Sequence, residues 1–185
     1  MTCSDNYQTP RGILTPLLPY LNPQYIIWEC AAGDGNLVKE LYHNYFAVLA
    51  TDIQTGTNFL TNEPYFPYDL ILTNPPYSLM NEFIERCYTL QKPFALLMPV
   101  RALDTRRRQA SYQKFGIALL MLPGQIDLYE KDTRKRARFV CAWFCWQVLP
   151  QPLVFVEETP AGIASLQHDA CMLRRGKFVK IISPT

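Results

Sequence analysis

Apolar residues fall into short runs separated by turns rich in proline, glycine and asparagine. Runs at 25–30, 47–51, 70–72, 94–100, 117–122 and 139–148 predict buried strands. Residues 36–46, with Leu37, Leu41 and Tyr45 at four-residue steps, and residues 79–90 predict helices. Strands alternating with helices predict an α/β fold. The runs at 117–122 and 139–148 have no helix between them, which predicts an antiparallel pair at one sheet edge. The polar, basic stretch 125–138 reads as a connection between those strands. Residues 13–21 predict a short helix, with Thr9 as N-cap and Pro10 at its start, broken by Pro16 and Pro19. A small hairpin is expected from 153–157 with 178–182. The pattern shows no internal repeat and no linker.

A length of 185 residues predicts one domain over 1–185, with a core at 7–148 and a C-terminal extension at 149–185. With 49% hydrophobic and 18% charged residues, the composition is that of a globular chain and not a disordered one. The absence of an 18-residue apolar run predicts no transmembrane helix. The N-terminus lacks a basic region followed by an apolar one, so no signal peptide and a cytoplasmic location are expected. Cys30, Cys141 and Cys145 lie in apolar runs, no Cys-x-x-Cys occurs, and only His43 and His168 could join cysteines as ligands. Reduced core thiols and no metal site are expected. The net charge of +2 is uneven: residues 101–138 carry 10 basic and 4 acidic residues. Such a stretch points to a polyanion face, with a solvated charged surface as the ordinary explanation. Trp143 and Trp146 alternate with Phe144 in a strand and read as core.

Two stretches carry chemistry. Leu70-Ile71-Leu72 runs into Thr73-Asn74-Pro75-Pro76-Tyr77-Ser78. Two prolines end the strand and fix a rigid loop at its carboxyl end, where open α/β sheets place ligands. The Asn74 side-chain oxygen and the Pro75 carbonyl are acceptors suited to a flat –NH₂ group, and Tyr77 supplies a stacking ring. The second stretch is strand 25–30 with the small-residue turn Ala31-Ala32-Gly33-Asp34-Gly35 and the helix beyond it. Asp52 follows Gly33 by 19 residues and closes the next strand, a position suited to ribose hydroxyls. The pattern Glu-x-x-x-Gly-x-Gly lacks the third glycine of the dinucleotide fingerprint, so NAD is not favoured.

Together, Tyr7-x-Thr9-Pro10, Glu29-Cys30-Ala31-Ala32-Gly33-Asp34-Gly35, Asp52 and Asn74-Pro75-Pro76-Tyr77 resemble the S-adenosylmethionine-dependent amino-methyltransferases. The nearest likeness is to the adenine-N6 DNA methyltransferases whose cofactor motif precedes Asn-Pro-Pro-Tyr, and it covers about residues 7–148. The resemblance implies a Rossmann-like class I methyltransferase fold: a mostly parallel seven-stranded sheet with an antiparallel edge strand and helices on both faces. It implies S-adenosylmethionine as cofactor, with Tyr7, Thr9 and Pro10 bordering the methionine part. Glu29, Ala31, Ala32, Gly33 and Gly35 would hold the methionine moiety, Asp52 the ribose, and Ile53 the adenine ring. Asn58 and Phe59 sit where many relatives have Asp-Phe, and Asn58 can still accept from the adenine amine.

The implied activity is methyl transfer to the N6 amine of adenine in DNA. Asn74 and the Pro75 carbonyl would stabilise the amine as it gains charge, with Pro76 shaping the loop and Tyr77 stacking on the base. A separate recognition domain has no room here. Arg101, Arg106, Arg107, Arg108, Lys114, Lys131, Arg134, Lys135, Arg136 and Arg138 are therefore the expected phosphate contacts, unless a partner subunit reads the target. DNA is the expected partner, with no membrane and no metal. The alternatives are an RNA adenine-N6 or protein-glutamine N-methyltransferase, or a non-catalytic nucleic-acid-binding subunit of the same fold.

Overall fold

A computed structural model describes residues 7–130 and 136–156. In chain order the strands and α-helices are β1 (Tyr7–Gln8), β2 (Ile26–Glu29), α1 (Asn36–His43), β3 (Ala47–Ala50), β4 (Leu70–Thr73), α2 (Met80–Leu90), β5 (Phe94–Pro99), α3 (Arg106–Phe115), β6 (Ala118–Met121), β7 (Ile126–Glu130), β8 (Arg136–Phe139), β9 (Cys141–Trp146) and β10 (Leu153–Phe155). Seven strands form the main sheet in the order β10-β6-β9-β5-β4-β2-β3. The pairs β2–β3, β2–β4, β4–β5 and β6–β10 are parallel, and β9 is antiparallel to both β5 and β6. The expected fold is therefore present: a mostly parallel seven-stranded sheet with one antiparallel strand. That strand stands third from the edge, because β10 adds a further parallel strand outside β6.

The alternation of side chains explains why the sheet lies between two layers. Leu70 and Leu72 face one core while Ile71 faces the other. Ala95 and Leu97 oppose Phe94, Leu96 and Met98, and Cys141, Trp143 and Cys145 oppose Ala142 and Phe144 in the same way. Strands buried on both faces need near-continuous apolar runs, as β5, β9 and the Leu70–Leu72 part of β4 have. The first core is closed by Leu37 and Leu41 of α1. The second is closed by Met80, Phe83, Ile84, Cys87 and Tyr88 of α2, one stripe at helical spacing. Trp143 is fully buried and donates its indole N–H to the Ile13 carbonyl at 3.1 Å. Cys30, Cys87, Cys141 and Cys145 are buried free thiols.

Three local expectations differ. Residues 13–21 form turns and a 3₁₀ turn at Leu18–Tyr20, not an α-helix. Pro16 and Pro19 remove the N–H groups that successive α-turns need. The first predicted helix ends at His43, and Tyr45 takes a positive φ of 65°. Residues 125–138 are not a plain connection. β7 and β8 pair antiparallel, and β1 joins β7, making a separate three-stranded sheet. Its residues 131–135 lie outside the described residues, as does segment 178–182 of the expected C-terminal hairpin.

Candidate active site

The chain runs from β2 through α1 to β3 on one side of the sheet, then returns to β4 on the other side of β2. At such a switch in direction the loops leaving neighbouring strands part and leave a crevice at their carboxyl ends. A cavity of about 420 Å³ lies there, within the roughly 300–1,000 Å³ of small-molecule sites. Of the residues singled out in the sequence, Thr9, Ala31, Ala32, Gly33, Asp52, Ile53, Asn58, Phe59, Asn74 and Pro76 line it. Leu60, next to Asn58 and Phe59 in the same loop, lines it too; sequence reasoning missed Cys30, Asn36, Gln54, Leu79 and Phe83, which complete the wall. Leu79 immediately precedes α2 and Phe83 lies in its first turn, within the stretch where the sequence predicts a helix without assigning it to the site. Gly35, Glu29, Pro10, Pro75 and Tyr77 stand outside the lining; the side chain of Tyr7 lies outside the described set.

The turn after β2 is set by backbone conformation. Gly33 and Gly35 have φ of 50° and 74°, and a Cβ at either would meet nothing within 4 Å. Left-handed φ, and not crowding within the protein, is what selects glycine here. Asp52 ties this turn to the next loop: its Oδ2 accepts from the Gly33 amide at 2.9 Å and its Oδ1 from the Gln54 amide at 2.8 Å. Each carboxylate oxygen keeps a second lone pair for a hydroxyl donor. Beneath the turn, Glu29 is fully buried and accepts from the Ala31 amide at 3.0 Å. Burial pushes its carboxyl up to about 7. The Thr73 hydroxyl and the Ala31 N–H oppose that rise, and the charge of Asp52 adds to it.

Across the cavity, Phe59 is buried against Trp28, edge-on at 5.1 Å, and stacks on Phe83 at 4.7 Å. The Asn58 side-chain oxygen accepts from the Leu60 amide at 3.0 Å, which fixes its own turn. Ile53 is 68% exposed on the rim of the cavity.

Asn74 leaves the carboxyl end of β4. Its amide nitrogen donates to the Thr9 hydroxyl at 3.1 Å, while its buried Oδ1 has no partner among the described residues. Buried carbonyl oxygens are rarely left so. An acceptor without a donor, on the wall of a cavity, fits a ligand that brings an N–H. The Asn-Pro-Pro-Tyr loop turns at once into a 3₁₀ turn, Tyr77–Leu79, which leads into α2.

Two expectations about substrate contacts are corrected by the geometry. Tyr77 is 6% exposed, its ring edge-on to Phe139 at 5.7 Å and its hydroxyl 4.0 Å from the Cys141 sulfur. Buried in this way, the ring packs within the protein and is not part of the cavity lining. Arg108 is buried and not a surface phosphate contact. Its guanidinium donates to the Ala102 and Arg101 carbonyls, to Asn81 Oδ1 and to Asp104, which fastens α3 to the segment before it.

The other expected phosphate contacts among the described residues are exposed, but several already have partners. Arg107 forks onto Glu85 at 2.6 and 2.7 Å and reaches Glu82 at 3.0 Å. Arg138 pairs with Asp127 across the β7–β8 ladder at 3.1 Å. Arg101 lies over the Phe139 ring and Lys114 over Phe115. Arg106 stands exposed at the start of α3. Lys131, Arg134 and Lys135 lie outside the described residues, and of Arg136 only the backbone is described. Among the described residues no group of three His, Cys, Asp or Glu could hold a metal, and no helix is long and apolar enough to cross a membrane.

No protein-family model matches the chain, and no curated protein matches it. Solved structures do. The methyltransferase subunit of a type I restriction-modification system from Streptococcus thermophilus is 13% identical with a TM-score of 0.52, over 90% of this chain and 49% of that one. This chain thus spans about half the length of that subunit. A precorrin-6y C5,15-methyltransferase from Geobacter metallireducens is 12% identical with a TM-score of 0.43, over 77% of this chain and 94% of that one. An S-adenosylmethionine-dependent O-methyltransferase from Thermotoga maritima is 9% identical with a TM-score of 0.46, over 75% and 64%. The sheet order and the first of these likenesses place the chain in the Rossmann-like methyltransferase fold.

Proposed function

We propose that this chain transfers a methyl group from S-adenosylmethionine to the exocyclic N6 amine of adenine in DNA. The observation that carries the reading is Asn74. Its buried side-chain oxygen has no partner among the described residues, and Asn74 lines the cavity at the carboxyl end of β4. A ring amine is a weak nucleophile because its lone pair is delocalised. An acceptor held rigid at the amine favours the nitrogen as it becomes pyramidal and positive, which is preorganised electrostatic stabilisation. The adjacent Pro75 carbonyl is the second acceptor of the motif.

The remaining wall suits the cofactor. Asp52 would take the ribose hydroxyls, Ile53 and Phe59 the adenine faces, and Asn58 its amine. The turn at Ala31, Ala32, Gly33 and Gly35, with Glu29 beneath it and Tyr7, Thr9 and Pro10 opposite, would hold the methionine end. When bound, S-adenosylmethionine supplies a methyl already activated on a sulfonium, so the protein need only position and stabilise. The likeness to a restriction-modification methyltransferase subunit favours DNA over other amine substrates. Arg101, Arg106 and the basic β7–β8 hairpin are the groups to meet phosphates.

The test is transfer of labelled methyl to unmethylated DNA, total RNA and a protein extract in parallel, with Asn74→Ala as control. Label recovered from DNA as N6-methyladenine, lost in the variant by at least about a hundredfold, is the expected result. Label confined to RNA or protein replaces the substrate. Full activity in Asn74→Ala removes the mechanism.

A further inference from the structure

Thr9 is held at both ends. Its hydroxyl accepts from Asn74 Nδ2 at 3.1 Å, and its carbonyl accepts from Asn36 Nδ2, at the first residue of α1, at 3.3 Å. Residues 7 and 8, just before it, form β1 and pair with Tyr129 and Glu130 of β7. Thr9 therefore joins the cofactor-side helix, the Asn-Pro-Pro-Tyr loop and the small sheet.

The side-chain amide of Asn74 has two ends with opposite chemistry. With Oδ1 toward an amine the contact attracts; with the –NH₂ toward it, donors face donors. In the structure the –NH₂ end donates to Thr9, and the buried oxygen end has no partner among the described residues. Resting on the function proposed above, we infer that Thr9 is a positioning residue for Asn74: its hydroxyl holds the amide so that the oxygen points to the incoming amine. This differs from a role limited to bordering the methionine part of the cofactor.

Thr9→Val keeps the shape and removes the acceptor; Thr9→Ser keeps the acceptor. The first readout needs no catalysis. In ¹⁵N-labelled protein, the Asn74 side-chain –NH₂ pair is identified as the signal lost in Asn74→Ala. Thr9→Val is expected to shift that pair and speed its exchange with water, while Thr9→Ser leaves it in place. A pair unmoved by Thr9→Val overturns the inference. The second readout is kinetic. Losing one hydrogen bond that orients the acceptor is expected to lower kcat by about five- to tenfold in Thr9→Val. Thr9 also lines the cofactor cavity, so the fall in kcat should exceed any rise in the dissociation constant for S-adenosylmethionine, and Thr9→Ser should restore the rate. A weakened cofactor affinity that accounts for the whole loss, with kcat intact, also overturns it. Should the wild type methylate no DNA while the –NH₂ pair responds as expected, the substrate reading fails and the Thr9–Asn74 contact stands.

Discussion

The Asp52 carboxylate and the Gly33 amide meet at 2.9 Å across 19 residues of chain. The bond locks the turn after β2 to the loop after β3. It also aims the carboxylate into the cavity that both loops line. Asp52→Ala should weaken S-adenosylmethionine binding by at least about tenfold, the equivalent of one or two charge-assisted hydrogen bonds. Titration calorimetry reads this directly. An unchanged dissociation constant would remove the ribose assignment.

Arg108 and its neighbour Arg106 should respond oppositely to substitution. Arg108 is buried and saturated with acceptors from the Arg101–Asp104 segment and Asn81. Arg108→Ala strands those acceptors and should cost about 2–4 kcal/mol in urea unfolding. Arg106→Glu, on an exposed position, should leave stability within about 0.5 kcal/mol and weaken DNA binding with a shallower salt dependence. Equal stability in the two variants would contradict the buried role of Arg108.

The sequence made the main sheet and the cavity largely readable, because both rest on strong local signals. Runs of apolar residues marked β2, β4, β5 and β9, and glycine, aspartate and the double proline marked the loops at their carboxyl ends. The β7–β8 hairpin was hidden by its charges. Ile126 and Leu128 alternate with Asp127 at strand period, and Leu128 is fully buried, but Lys131 to Arg138 dominated the pattern. The fate of Arg108 was invisible because two of its four acceptors are backbone carbonyls and a third, Asn81, lies 27 positions away. Leu79 and Phe83 fell within a predicted helix, yet nothing local told that the start of that helix opens on the cavity. The inward turn of Tyr77 depends on Phe139 and Cys141, some 60 residues further along.

For Tyr77, burial makes a sharp separation between ring and hydroxyl. The hydroxyl has a long, weak contact with the Cys141 sulfur, whereas the ring fills space beside Phe139. Tyr77→Phe should stay within about 1 kcal/mol of wild type and keep most activity. Tyr77→Ala should lose about 3–5 kcal/mol by leaving a cavity. Thermal melts of the two variants check this, and a Tyr77→Ala protein as stable as wild type would mean that the ring spends its time outside the core.

Glu29 gives a pH dependence whose sign is fixed by burial. Its carboxyl is pushed from the ordinary 4.5 up to about 7, chiefly by desolvation. Between those values the unfolded chain has lost the proton and the folded chain retains it. Stability therefore falls as pH rises through that window, by about 3 kcal/mol in all. Below about 4.5 the group contributes no pH dependence. Glu29→Gln has no proton to lose and keeps an oxygen for the Ala31 amide, so its advantage over wild type should grow from pH 5 to pH 8 in urea unfolding. A difference that stays flat across that range would sink the buried, proton-holding state. Cofactor binding should run the other way. If the ionised carboxylate meets the ammonium group of S-adenosylmethionine, affinity should rise as pH passes about 7. In Glu29→Gln that rise should disappear while the cavity remains. The same residue would then lower stability and raise affinity over one pH range, and the two titrations, made on one protein, would separate its structural cost from its functional use.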